Sequence, residues 1–146
     1  MPIEMVGLDA DDTLWHSEGH YRSTQERYSA LLEPWIGAAE VPAALLETER
    51  RNLAHFGYGA KGFTLSMIET AIELSKGEVD GHRIHVIIEF GRELLNHPVE
   101  LLDGVPEAVE ALADDFRLAL VTKGDLFHQE SKIAASGLAD AFERVE

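Results

Sequence analysis

Gly7-Leu8-Asp9-Ala10-Asp11-Asp12-Thr13-Leu14 decides how this chain is read. It sets three carboxylates within four positions at the end of a short apolar run, Ile3 to Leu8. Ile, Val and Leu ending in acids predict a buried parallel strand that delivers residues to a catalytic edge, although Glu4 interrupts the run. Crowded carboxylates raise one another's pKa values, and a shared cation removes that cost. Hard oxygen donors in this number suit magnesium. The plainer readings are an acidic solvated turn, or Asp12 as a helix N-cap.

Two other Asp-rich patterns are tested on the residues. An EF-hand loop counted from Asp9 puts Leu14 where glycine is required and His20 where glutamate is required, so that reading fails. A receiver domain carries its acceptor aspartate after a later strand, whereas this whole cluster follows the first.

Working outward, Trp15 to about Glu100 reads as helical. Tyr21, Tyr28, Leu31 and Leu32 fall near helical spacing. Pro42 opens a second helix ahead of Leu45, Leu46 and Leu53. Gly57 to Gly62 reads as a flexible break, with Thr64 as the N-cap of a helix that Gly77 stops. Ile84, Ile87, Ile88, Phe90, Leu94 and Leu95 form another apolar face, ended by Asn96-His97-Pro98. The pattern then changes. Asp103-Gly104 predicts a turn, Pro106 a short helix to about Ala113, and Leu118 to Val121 a buried strand. Thr122-Lys123-Gly124-Asp125 breaks it, a helix runs from about Leu126 to Gly137, and Phe142 to Glu146 begins a third strand. Strands alternating with helices, with a helical block after the first strand, predict an α/β fold.

The chain has 146 residues, no cysteine and a formal net charge of −15. No disulfide framework is possible, so the fold rests on its core. The absence of cysteine is compatible with a reducing cytoplasm, which is the expected location. So acidic a surface repels phosphate backbones and anionic lipid, which argues against nucleic-acid or membrane partners. No apolar run reaches the roughly 20 residues of a membrane span. Composition leaves the oligomeric state open.

The aspartate segment resembles the first motif of haloacid-dehalogenase-like hydrolases, Asp-x-Asp-x-Thr at the end of the first strand. Leu118-Ala119-Leu120-Val121-Thr122 is similar to their second motif, a strand ending in Ser or Thr. Lys132, within Gln129 to Leu138, resembles the third-motif lysine on its helix. Asp103-Gly104-Val105-Pro106 also looks like a turn of this family. The resemblance implies a Rossmann-like parallel core over 1–14 and 101–146, with a helical cap inserted at 15–100. It implies Asp9 as the nucleophile that forms an aspartyl-phosphate, and Asp11 as the acid and base. Thr122 and Lys132 would meet the phosphoryl group, with Lys132 also offsetting the charge of Asp9, while Lys123, outside the family pattern, adds positive charge near the phosphate or faces solvent. Magnesium would be held by Asp9 and by the Asp11 backbone carbonyl. An acid at position 11 favours phosphate esters over the halides of dehalogenase relatives. The expected substrate is a small phosphorylated metabolite. A phosphomutase or phosphonate-cleaving relative, and a non-catalytic phosphate- or metal-binding domain, are the alternatives.

Three further expectations follow. Lys123 departs from the asparagine common after the second-motif Thr. Lys61 is expected to be a solvated loop lysine, the seven histidines surface groups, and Trp15 and His16 the mouth of the site or, for Trp15, a hinge contact. The family's fourth motif, acids after a later strand that complete the magnesium site, has no counterpart before Glu146. The 146-residue chain is therefore expected to be truncated and to bind magnesium weakly, with little activity.

Overall fold

The computed structural model describes Met1–Glu146. The chain divides into two compact units, Met1–Glu18 with Pro98–Glu146, and Gly19–His97.

The first unit is built on a parallel sheet of three strands in the order β1-β2-β3. These are β1 (Met5–Asp9), β2 (Arg117–Val121) and β3 (Arg144–Val145). Glu4 lies just outside β1, where its backbone carbonyl accepts from the Arg117 N–H at 3.0 Å. The register pairs Met5 with Arg117 and Asp9 with Val121, so the two strands end level with one another. Helix α5 (Val105–Asp115) leads into β2, and α6 (Leu126–Ser136) lies between β2 and β3. Gly104 precedes α5 at φ +80°, a left-handed conformation that glycine adopts at little steric cost. Leu118 and Leu120 are fully buried with Leu14, Trp15, Val109 and Ile133. Burial stabilises side chains of this kind by about 1.5–3 kcal/mol each.

The Gly19–His97 unit is helical. Its elements are α1 (Glu18–Leu31), α2 (Val41–Phe56), α3 (Ala60–Leu74) and α4 (Gly81–Asn96). Tyr28, Leu32, Leu45, Met67, Ile87 and Phe90 form its core. The buried Tyr28 hydroxyl donates to the Met67 carbonyl at 2.7 Å. Asp80 caps α4 by accepting from the Arg83 N–H.

Two local expectations are corrected here. Lys61 and Gly62 belong to α3 rather than to a flexible break, because that helix begins at Ala60. Thr64 is not its N-cap: the hydroxyl lies inside the helix and donates to the Ala60 carbonyl at 2.7 Å, satisfying itself one turn back. Leu46 and Leu53 are exposed, while Leu45 alone of that set is fully buried. The apolar residues of α2 exceed what one packed face can cover.

Candidate active site

Asp9 ends β1 and Thr122 directly follows β2, so their register brings both to the carboxyl edge of the sheet. Open α/β sheets place their ligand sites at this edge. Asp9 is exposed, and its Oδ2 accepts from the Thr13 hydroxyl at 3.0 Å. The turn after it is tied down. Thr13 and Leu14 N–H groups both donate to the Ala10 carbonyl, and the Asp12 N–H donates to Trp15 at 2.7 Å. His16 and Leu102 N–H groups then stitch the turn to the segment around Glu100.

The three neighbouring aspartates do different work. Asp12 adopts φ +60° and caps α1, its carboxylate accepting from the Ser17 and Glu18 N–H groups at 2.9 and 3.0 Å. Asp12 thus holds the start of α1 through its carboxylate, although it lies six residues before Glu18 and is not the N-cap residue itself. Asp11 is half-buried and surrounded by donors. Lys132 Nζ and Trp15 Nε1 each donate to its Oδ1 at 2.9 Å, and Gln129 Nε2 donates to its Oδ2 at 2.9 Å. Burial pushes the Asp11 carboxyl up. The Lys132 ammonium, with the Trp15 and Gln129 N–H groups, outweighs that effect and holds it below the ordinary value of 3.8.

The expected site residues are thus partly joined. Lys132, expected to offset the charge of Asp9, has its ammonium bonded to Asp11. Thr122 accepts from Gln129 Nε2 at 2.8 Å and from the Gly124 N–H at 3.2 Å. Lys123 is exposed on the loop, and Lys61 is exposed in the first turn of α3. Trp15 is 1% exposed, so it lies in the core rather than at an open mouth. Gln129, also 1% exposed, was not singled out from the sequence. A glutamine on a helix reads as solvated, and only tertiary packing reveals it.

Magnesium is tested on the donors present. Asp9 offers a hard, exposed carboxylate, while three donors already occupy the Asp11 carboxylate, which leaves its backbone carbonyl as the second oxygen. No three His, Asp or Glu side chains stand together as a ready-made metal cluster. The residues of this chain fit part of a magnesium shell.

A haloacid dehalogenase-like hydrolase family model matches residues 3–146. The chain belongs to that family. A haloacid dehalogenase-like family hydrolase from Xanthomonas campestris is 53% identical, with a TM-score of 0.91 over 99% of this chain and 60% of that one. A predicted phosphoglycolate phosphatase from Haemophilus somnus is 20% identical, with a TM-score of 0.60 over 98% of this chain and 61% of that one. The L-2-haloacid dehalogenase from Xanthobacter autotrophicus, with chloropropionic acid covalently bound, is 17% identical, with a TM-score of 0.57 over 99% and 56%. These last two share the haloacid dehalogenase-like fold and carry no closer argument. The chain spans about 60% of the length of the Xanthomonas protein. None of the curated proteins is a match. The α/β, Rossmann-like expectation is met, and the family is a hydrolase family. No helix is long and apolar enough to cross a membrane.

Proposed function

We propose that this hydrolase is a magnesium-dependent phosphohydrolase that acts on a small phosphorylated metabolite through an aspartyl-phosphate at Asp9. The observation that carries the reading is the Asp11 carboxylate, held by Lys132, Trp15 and Gln129 two residues beyond the nucleophile. A halide leaves as a stable anion and needs no proton. The alkoxide released from a phosphate ester does, so a second carboxylate belongs to ester chemistry.

Asp9 attacks phosphorus with the carboxylate oxygen that Thr13 does not hold, and the bond from phosphorus to the leaving oxygen breaks. Asp11 supplies the proton to that oxygen. Its lowered proton affinity would leave it ionised alone, and a phosphate dianion brought beside it raises that affinity. Asp11 then accepts a proton from the water that attacks the aspartyl-phosphate. The bond from phosphorus to Asp9 breaks, releasing inorganic phosphate and restoring the carboxylate. Thr122 and the loop N–H groups hold the phosphoryl oxygens, a task of positioning and charge stabilisation. Asp9 and the Asp11 carbonyl would hold magnesium, which when bound neutralises charge shared by nucleophile and phosphate.

Turnover of an aryl phosphate by the full-length protein, with and without magnesium, tests this reading. Magnesium-dependent release of phosphate is expected, and Asp9→Asn should abolish it. Dehalogenation of a 2-haloacid with no phosphate release would overturn the reading, as would conversion of a phosphosugar to its isomer.

A further inference from the structure

Gln129 helps to hold Asp11 in the chemistry above, and it also joins Asp11 to Thr122. The side chain is 1% exposed on α6. One amide proton goes to Asp11 Oδ2 at 2.9 Å and the other to Thr122 Oγ1 at 2.8 Å. The amide orientation follows from its neighbours. An ionised carboxylate only accepts, so the NH₂ group and not Oε1 must face Asp11. Both of its donors are then committed, and Oε1 is left buried without a donor. A buried polar atom left unpaired costs about 1–3 kcal/mol, so a residue that keeps one is held there for something other than packing.

The consequence falls on Thr122. A hydroxyl has one proton and two lone pairs. Both lone pairs are used, one by Gln129 Nε2 and one by the Gly124 N–H. The proton is the only hydrogen-bonding capacity left, so Thr122 can meet a further partner only as a donor.

We propose that Gln129 is a positioning residue that fixes Thr122 as a hydrogen-bond donor to an anionic oxygen and locks it to the orientation of Asp11. The proposal rests on the phosphohydrolase reading for the identity of that oxygen. Gly124 is part of the device. A Cβ there would stand 2.8 Å from Gln129 Nε2 and 3.1 Å from its Cδ. Glycine at this position lets the loop close onto the amide, and alanine would push the amide off both partners without altering Gln129 itself.

The test uses the full-length protein with Gln129→Met, Gly124→Ala and Thr122→Val, and each of the first two combined with the third. Binding of inorganic phosphate is measured by titration calorimetry, and kcat and KM are measured on an aryl phosphate. Gln129→Met and Gly124→Ala should each weaken phosphate binding and lower kcat by about tenfold, a loss typical of one hydrogen bond to a charged group. Placed on Thr122→Val, each should add less than twofold to the loss of phosphate binding, because the hydroxyl it orients is gone; kcat still reports the bond to Asp11. A merely structural role predicts the same loss in both backgrounds, and that result overturns the proposal. Wild-type phosphate binding that neither variant changes overturns it too, as does a wild type that binds no phosphate. Coupled loss of phosphate binding in a protein that turns over no phosphate ester would uphold Gln129 and sink the phosphohydrolase reading instead. Two separate variants keep the test decisive if one fails to fold.

Discussion

Lys132 Nζ lies 2.9 Å from Asp11 Oδ1, and the lysine side chain is 15% exposed against 38% for the aspartate. The ammonium therefore serves the more buried carboxylate, to which the proposed mechanism gives proton transfer, and not the exposed Asp9. Lys132→Met should lower kcat by about 10²-fold, the scale of one lost charge stabiliser or misplaced proton carrier. Stability should fall by about 1–3 kcal/mol, since the substitution leaves a half-buried carboxylate without its cation. Steady-state kinetics and a urea titration on the same variant check both figures.

The proton affinity of Asp11 makes a second prediction. Its folded value lies below the ordinary 3.8. Stability from this group is thus fully present above that ordinary value and is lost as pH falls through the lower folded one. Asp11→Asn should flatten the decline of the melting temperature below about pH 5, the onset of such a loss. Parallel melting curves for wild type and variant across the acid range would contradict the assignment.

Much of this was legible before any coordinate. The apolar runs ending at Asp9 and Val121 announce parallel strands, but only the second is buried: Leu118, Ala119 and Leu120 are, whereas no residue of β1, at the end of the strand order, is. What stayed hidden was tertiary. Gly62 looks like a break, yet it lies in α3, where a Cβ would stand 3.0 Å from the Gly57 carbonyl oxygen. Its small size serves packing rather than bending. Trp15 and Gln129 are an aromatic beside a loop and an amide on a helix, and nothing in their spacing says that both aim at Asp11. Lys132 was recognised, but the sequence could not say which carboxylate it meets.

Asp12 separates a cap from a catalytic acid. It combines φ +60° with acceptance from the Ser17 and Glu18 N–H groups. Asparagine tolerates that conformation and still accepts, so Asp12→Asn should stay within about 0.5 kcal/mol of wild type. Asp12→Ala loses the cap and adopts the left-handed conformation poorly, a combined loss of about 2 kcal/mol. Equal melting temperatures for the two variants would refute the capping role.

The helical unit offers a packing test. A Cβ on Gly91 of α4 would fall 2.2 Å from Thr64 Oγ1 and 2.8 Å from its Cγ2 in α3. Gly91→Ala should destabilise by about 1–3 kcal/mol, the range for overpacking. Adding Thr64→Ala removes both clashing atoms and should restore part of the loss. Strict additivity of the two substitutions in chemical denaturation would show that the helices do not meet at this point.

The central claim is that Asp9 becomes phosphorylated. The full-length protein is mixed with an aryl phosphate carrying ³²P and magnesium, quenched in acid within the first turnover, and digested for peptide mapping. Label on the peptide containing Asp9, absent from Asp9→Asn, is the predicted result. Phosphate released at the wild-type rate by Asp9→Asn, or label found on a different residue, would contradict it.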